Sequence, residues 1–359
     1  MKTSTLPQSE HTDFELIVHI GTGKTGTSSI QKSLQENRIE LQRQGMDYWG
    51  MWLEYAPANL YSWQRRGAGY EQFWNKEQND FEEQVYEVLR RSVQESTESG
   101  ISRAIWSSES IFDHQERLIP VLLKLKSLGV RICVVVYFRN PASWAQSAYV
   151  QWGIKHKTYP GPIKTFSEWA ITHNAEFSGK LSPWLDSFEC VRVRNFDSQG
   201  DVVSDFFNVV SIVPDALKSF RINETPSNEE LALRALFNNR NERPALPMHF
   251  DKVFQYPLIR TGESIVQMMD RYLPTDEDLA HFQNERGKDI DRLNKFLQDE
   301  GQQPLKREAP LAKKFSLDDG LLMSMLAQMV LLQGRKISVL EKELKALRVV
   351  VDGITNTAV

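Results

Sequence analysis

Apolar residues in this chain come as short unbroken runs separated by longer stretches with helical spacing. Phe14 to Ile20 is mostly apolar and reads as a buried strand. Ile30, Leu34 and Leu41 follow with polar residues between them, the spacing of an amphipathic helix reaching about Gln44. Met46 to Trp49 reads as a short strand. A helix is expected over Phe81 to Ser96, a strand over Ile101 to Trp106, and a helix over Glu116 to Leu128. Ile132 to Phe138 is a continuous valine-rich run, the mark of a parallel strand buried on both faces. Val191 to Phe196 predicts one more strand, Val202 to Val210 a helix, and a further helix starts at Asn228. Strands alternating with helices imply an α/β fold, a parallel sheet flanked by helices on both faces. In such sheets ligands bind at the carboxyl ends of the strands. Gly21, Ser107 and Arg139 all fall at such ends.

The first strand runs into Gly21-Thr22-Gly23-Lys24-Thr25-Gly26-Thr27-Ser28-Ser29 and then directly into a helix. Strand, glycine-rich loop and helix in that order make an anion cradle. The glycines let backbone N–H groups converge, the helix N-terminus adds partial positive charge, and Lys24 adds a full one. Thr25, Thr27 and Ser28 offer hydroxyls. Gly23-Lys24-Thr25 looks like the end of a Walker A loop, but that pattern needs a glycine five residues before Gly23, where this chain has Val18. A plain glycine-rich turn is the bland alternative, because short glycine motifs recur by accident.

The run Ile132 to Phe138 ends in Arg139-Asn140-Pro141, and Pro141 suits the first turn of a new helix, which carries Ser147, Tyr149 and Gln151. A Walker-type enzyme would end such a strand with an acidic residue for Mg²⁺. An arginine suits a second phosphate instead, although a strand-end salt bridge would also account for it. Together, Lys24-Thr25-Gly26-Thr27-Ser28 and Arg139 with Ser147 eight residues later resemble sulfotransferases that use 3′-phosphoadenosine 5′-phosphosulfate. The flanking His19-Ile20-Gly21 and Ile30-Gln31 look most like the bacterial glycan type. The resemblance implies a P-loop-type sheet and no required metal. It makes Gly23, Lys24, Thr25, Gly26, Thr27 and Ser28 the 5′-phosphosulfate loop, with Arg139 and Ser147 the 3′-phosphate site. The turn at Asp197 and the segment Arg221-Ile222-Asn223 agree more weakly, the latter resembling a piece that closes over the nucleotide. The chain departs from the cytosolic small-molecule enzymes in carrying Ser29 where they often have an adenine-stacking aromatic. It also lacks their arginine-lysine-glycine loop; Gly287-Lys288 is no convincing substitute.

Sulfuryl transfer to a hydroxyl needs a base for the acceptor proton. Glu109, in Ser107-Ser108-Glu109-Ser110 just past a strand end, resembles the glutamate that some carbohydrate sulfotransferases place there. Its plainer role is a first-turn carboxylate of the following helix. His19 is the rival base, with His114 and His156 weaker candidates. The implied acceptor is a carbohydrate or glycoconjugate hydroxyl. Trp52, Tyr55, Tyr61, Trp63, Tyr70 and Trp74 crowd one stretch and read either as a sugar platform or, more simply, as ordinary burial under a loop.

The 359 residues carry a formal charge of -4, so no general attraction to nucleic acid or anionic membrane is expected. Cys133 and Cys190 lie far apart in sequence and read as buried thiols, and no metal-ligand cluster is visible. The N-terminus, expected to be loose before Asp13, lacks a signal-peptide core. No run reaches transmembrane length, so a cytoplasmic enzyme is expected. The domain is expected to span 13–300. A basic, proline-broken linker at Lys306 to Lys314 and a helical C-terminal extension would fill 301–359. Leu322, Met325, Met329 and Leu332 recur at three and four; after a slip near Gly334 the spacing resumes at Ile337, Leu340, Leu344 and Leu347. An oligomerisation helix and a helix packed on its own domain both fit this pattern.

Overall fold

The computed structural model describes residues 13–65, 69–214, 217–222, 227–239, 242–245, 250 and 265–356. Five strands form one sheet: β1 (Glu15–His19), β2 (Met46–Tyr48), β3 (Arg103–Ser107), β4 (Arg131–Phe138) and β5 (Cys190–Asn195), in the order β2-β3-β1-β4-β5. Every pairing is parallel, so β1 lies between β3 and β4, with His19 opposite Ser107 on one side and Val135 on the other. Parallel strands need helical crossovers. These are supplied by α1 (Thr27–Glu36), α2 (Arg38–Arg43), α3 (Gly69–Trp74), α4 (Gln78–Glu98), α5 (Gln115–Lys126), α6 (Pro141–Ala148), α7 (Phe166–Ala170) and α8 (Ser178–Ser187), with α9 (Val202–Val209) following β5. The protein is an α/β fold.

Alternating side chains of a strand point to opposite faces, and here both faces are buried. On one, Ile17, Ile105, Val135 and Tyr137 pack with Ile30 and Leu34 of α1 and with Val203 and Phe206 of α9. On the other, Leu16, Val18, Ala104, Trp106, Val134 and Val136 are all buried. There the Trp106 ring meets Phe73 at 6.3 Å and Phe138 meets Phe112 at 5.7 Å. This explains the unbroken apolar strands. The aromatic stretch joins the same packing: Trp63 and Trp74 are buried, and Phe73 lies edge-on to both.

The structure departs from the sequence reading at three places. The helix expected to reach Gln44 breaks at Asn37, whose side chain donates to the Ser33 carbonyl at 2.7 Å and so competes with the helical ladder. After α6 the chain continues as a π-helix, Tyr149–Lys155. The cysteines are not free thiols: Cys133 and Cys190 stand opposite each other on β4 and β5, their Cα atoms 4.7 Å apart, and are joined by a disulfide. The Cα separation is within the ordinary range for a bridge.

Contacts group the chain into two compact units. One holds the described residues within Met1–Ala145, Asn174–Asn223 and Ala280–Pro310; the other holds those within Gln146–His173, Glu224–Leu279 and Leu311–Val359. The first unit contains the sheet and the helix Gly287–Asp299, which packs on α8 and β5. Part of the stretch read as a linker is strapped to that unit: the Lys306 carbonyl accepts from Asn140 and from Gln283, both at 3.0 Å. The second unit is helical and includes α10 (Asn228–Asn239) and the C-terminal helix Asp319–Asn356. Residues before Asp13, and Asn223, lie outside the described residues.

Phe206 is fully buried on the α9 side of the sheet. Phe206→Ala is expected to cost about 3–5 kcal/mol, read as a lowered urea midpoint at unchanged slope. A loss under about 1 kcal/mol would mean that α9 does not cover this face.

Candidate functional site

The site grows from the turn between β1 and α1. Gly21, Gly23, Lys24 and Gly26 have φ of 42°, 61°, 55° and 81°. Glycine adopts these angles without penalty, whereas Lys24 pays for its left-handed backbone, about 1–2 kcal/mol. Gly26 caps α1, and its carbonyl accepts from the N–H of Ser29 and of Ile30. A Cβ at Gly26 would sit 2.6 Å from Val202 Cγ1, so the start of α9 presses on the loop.

Neighbouring strands add their ends to this turn. β3 lies beside β1, and the Ser108 N–H donates to the His19 carbonyl at 3.1 Å. That contact sets Glu109 against the loop: a Cβ built on Gly21 would lie 3.4 Å from the Glu109 Cα. Glu109 opens a 3₁₀ helix, Glu109–His114, whose N-cap residue Ser108 makes no side-chain cap. Its charge also reaches Tyr48. Burial, then Glu54, Tyr55 and Glu109, push that phenol well above its usual range.

From the other side, the Arg139 Nη1 at the end of β4 donates to the Lys24 carbonyl at 3.2 Å. Arg139 also pairs with Asp197 at 3.4 Å and lies over the Phe196 ring. The strand-end salt bridge is therefore present alongside the loop contact. Asp197 accepts from the Asn140 N–H at 2.6 Å. Burial pulls the Arg139 guanidinium below its ordinary range, while Asp197 acts in the opposite sense. Asn140 caps α6 through Ser143 N, with Pro141 at the first helical position. Ser147 is half-buried on α6, beyond the unit boundary at Ala145.

Three polar atoms in this cluster are buried without a hydrogen-bond partner: Thr25 Oγ1, Thr27 Oγ1 and Arg139 Nε. Each such donor costs on the order of 1–3 kcal/mol when left unpaired. Two hydroxyls and a guanidinium N–H around a positively charged loop suit an oxyanion that accepts from all of them.

A polar ladder on α1 escaped the sequence reading. Ser29 Oγ, Ser33 Oγ and Asn37 Oδ1 accept from the backbone N–H groups of Ile222, Phe220 and Lys218 at 3.1, 2.9 and 3.0 Å. Their four-residue spacing puts them on one helix face, and they hold the segment 218–222 along α1. Ser29 grips the Ile222 N–H through its hydroxyl. Only the spacing could have signalled it.

The histidines are placed differently from one another. His19 is fully buried, its Nδ1 is 2.8 Å from Ser107 Oγ, and its Nε2 has no partner. Burial lowers its pKa from 6.5 to about 3, so it stays neutral. His114 stacks on Trp74 at 3.9 Å and is half-buried, and burial lowers its pKa. His156 is half-buried in the second unit and shifted the same way. Among the described residues no group of His, Cys, Asp and Glu could hold a metal ion, and no helix is long and apolar enough to cross a membrane.

No family model matches the chain, and no curated protein matches it. Among solved structures it is similar to a chain of the PezAT chromosomal toxin–antitoxin system of Streptococcus pneumoniae. The identity is 14%, covering 53% of this chain and 70% of that one, at a TM-score of 0.23. A score that low carries no argument.

His19 gives this core a pH signature. Above pH 6.5 its imidazole is neutral in both folded and unfolded chains. As pH falls from 6.5 toward about 3, the unfolded chain takes up a proton that the folded one refuses, so stability drops. His19→Gln should flatten that part of the profile, measured by urea unfolding at stepped pH. Identical slopes for the two proteins would show that His19 is solvated.

Proposed function

We propose that this protein is a sulfotransferase with a P-loop-type anion cradle. On this reading it moves a sulfuryl group from 3′-phosphoadenosine 5′-phosphosulfate to a hydroxyl of a carbohydrate or glycoconjugate. The observation that carries the reading is the β1–α1 loop with its buried, unpartnered Thr25 and Thr27 hydroxyls, backed by Arg139 rather than a carboxylate at the end of β4. The loop and the strand end suit the donor: Gly23 through Ser28 would hold the 5′-phosphosulfate, and Arg139 the 3′-phosphate. When bound, the donor supplies the sulfuryl group and a bisphosphate leaving group.

Each protein group has a defined task. Lys24 and the N–H groups of Gly26 and Thr27 offer positive potential where negative charge gathers, without having to reorganise. Glu109, placed by β3 beside Gly21, takes the acceptor proton. His19, neutral and enclosed, keeps the Ser107 strand end in position and leaves the base role to Glu109. Positioning and charge stabilisation do most of the work in the related chemistry of phosphoryl transfer.

Two experiments test this. Labelled donor with glycan acceptors should give transfer. Lys24→Ala is expected to lower turnover roughly 10²–10³-fold, and Glu109→Gln about 10²-fold with donor binding intact. Full turnover in Glu109→Gln with a modest stability loss would make it a helix-start carboxylate. In calorimetry, adenosine 3′,5′-bisphosphate should bind without added metal. Arg139→Ala should weaken it much more than adenosine 5′-phosphate, because only the former presents a second phosphate. Equal losses would leave Arg139 a purely structural ion pair, and binding of Mg²⁺-ATP alone would favour a kinase.

A further inference from the structure

The C-terminal helix runs unbroken from Asp319 to Asn356, through Gly334. Its base is anchored in its own unit: Glu229 at the start of α10 accepts from the Asp318 N–H at 2.8 Å, and Asn228 donates to the Ser316 carbonyl at 2.7 Å. Leu322, Met325 and Met329 are half-buried on that side. A different row is left open. Met323, Val330, Ile337, Leu340, Leu344 and Leu347 are each between 52% and 70% exposed. Six large apolar side chains exposed in one line on a helix mark an interaction surface.

These six fall on one heptad register with no slip. With Ile337 at position a, the a positions are Met323, Val330, Ile337, Leu344 and Val351, and the d positions are Leu326, Gln333, Leu340, Leu347 and Ile354. Nine of these ten are apolar, and a seam of this period matches a second helix of the same period wound on it. The seam is complementary to itself. In a parallel pair the g residue of one helix meets the e residue five positions on in the other. The two charged g residues are Lys336 and Glu343, and their partners would be Glu341 and Arg348. Both pairs are of opposite sign. Gln333 is the one polar seam residue. In register it meets its own copy, and a primary amide can both donate to and accept from another. Shifted, it would be buried against apolar side chains.

The geometry points to a second copy of this chain as the occupant: a parallel, in-register, two-stranded coiled coil built on Met323 to Leu347. β-Branched residues at a with leucine at d favour two strands, as at Val330, Ile337, Leu340 and Leu347. This assignment is independent of the activity proposed above.

Sedimentation equilibrium on the full chain tests it. The expected mass is twice that of the chain. Ile337→Glu with Leu344→Glu places paired charges in the seam and should weaken association by ~100-fold or more. Both sites are exposed in the single chain, so its circular dichroism and unfolding midpoint should hold. Lys336→Glu should weaken the dimer, and adding Glu341→Lys should restore it. Leu340→Cys should cross-link to its own copy under mild oxidation. A single-chain mass at tens of micromolar, a trimer, or a dimer untouched by the double glutamate variant would overturn the proposal. Absent rescue, or absent cross-linking, would overturn the parallel register.

Discussion

The position of β1 between β3 and β4 is the constraint on which the rest of this structure depends. Parallel pairing on both sides aligns the carboxyl ends of three strands at one edge of the sheet. The loop after β1, Glu109 after β3 and Arg139 after β4 therefore meet there, although they come from positions far apart in sequence. Burial on both faces fixes the register, since a one-residue slip would exchange the two apolar faces of a strand. The packing that stabilises the sheet thus also sets the spacing of the charged groups at its edge.

That edge is locally costly. Lys24 holds a left-handed backbone, two threonine hydroxyls and one guanidinium N–H are buried unpaired, and His19 is enclosed neutral beneath them. Surrounding structure sustains these costs. Val202 presses on Gly26, Gln31 donates to the Ser107 carbonyl at 3.0 Å, and Trp144 donates to the Thr22 carbonyl at 3.2 Å. The loop is thereby held from several sides.

Most of the fold was legible in the sequence because its signals are local. Apolar runs marked β1 and β4 to within a residue or so, the strand expected over Val191 to Phe196 is β5, and Gly21 to Ser28 announced a strand–turn–helix junction. What escaped depends on partners distant in sequence. The break at Asn37 is held by the hydrogen bond its side chain makes to the distant Lys218 carbonyl, besides the local one to Ser33. The Cys133–Cys190 bridge needs the β4–β5 register, which no spacing of two cysteines reveals. The strap at Lys306 needs Asn140 and Gln283. For the site, the loop and Arg139 could be named from sequence, whereas the burial that separates His19 from Glu109 could not. Both sit at strand ends, and only the packing of Phe206 and Tyr137 around the imidazole tells them apart.

Arg139 shows how one side chain can serve both architecture and chemistry. Its guanidinium reaches the Lys24 carbonyl, Asp197 after β5 lies opposite it, and Asp197 in turn accepts from the N–H of Asn140 at the start of α6. The turns that follow three strands are thus tied through a single charge. The positive charge of Arg139 is thus already balanced in part by a carboxylate. A guanidinium has five donors in a fixed fork, and Nε remains unspent after the loop and the carboxylate are satisfied. A lysine could match the charge but not that division of donors. At the end of β4 the fork of an arginine is therefore used for its hydrogen-bond geometry as well as for its sign.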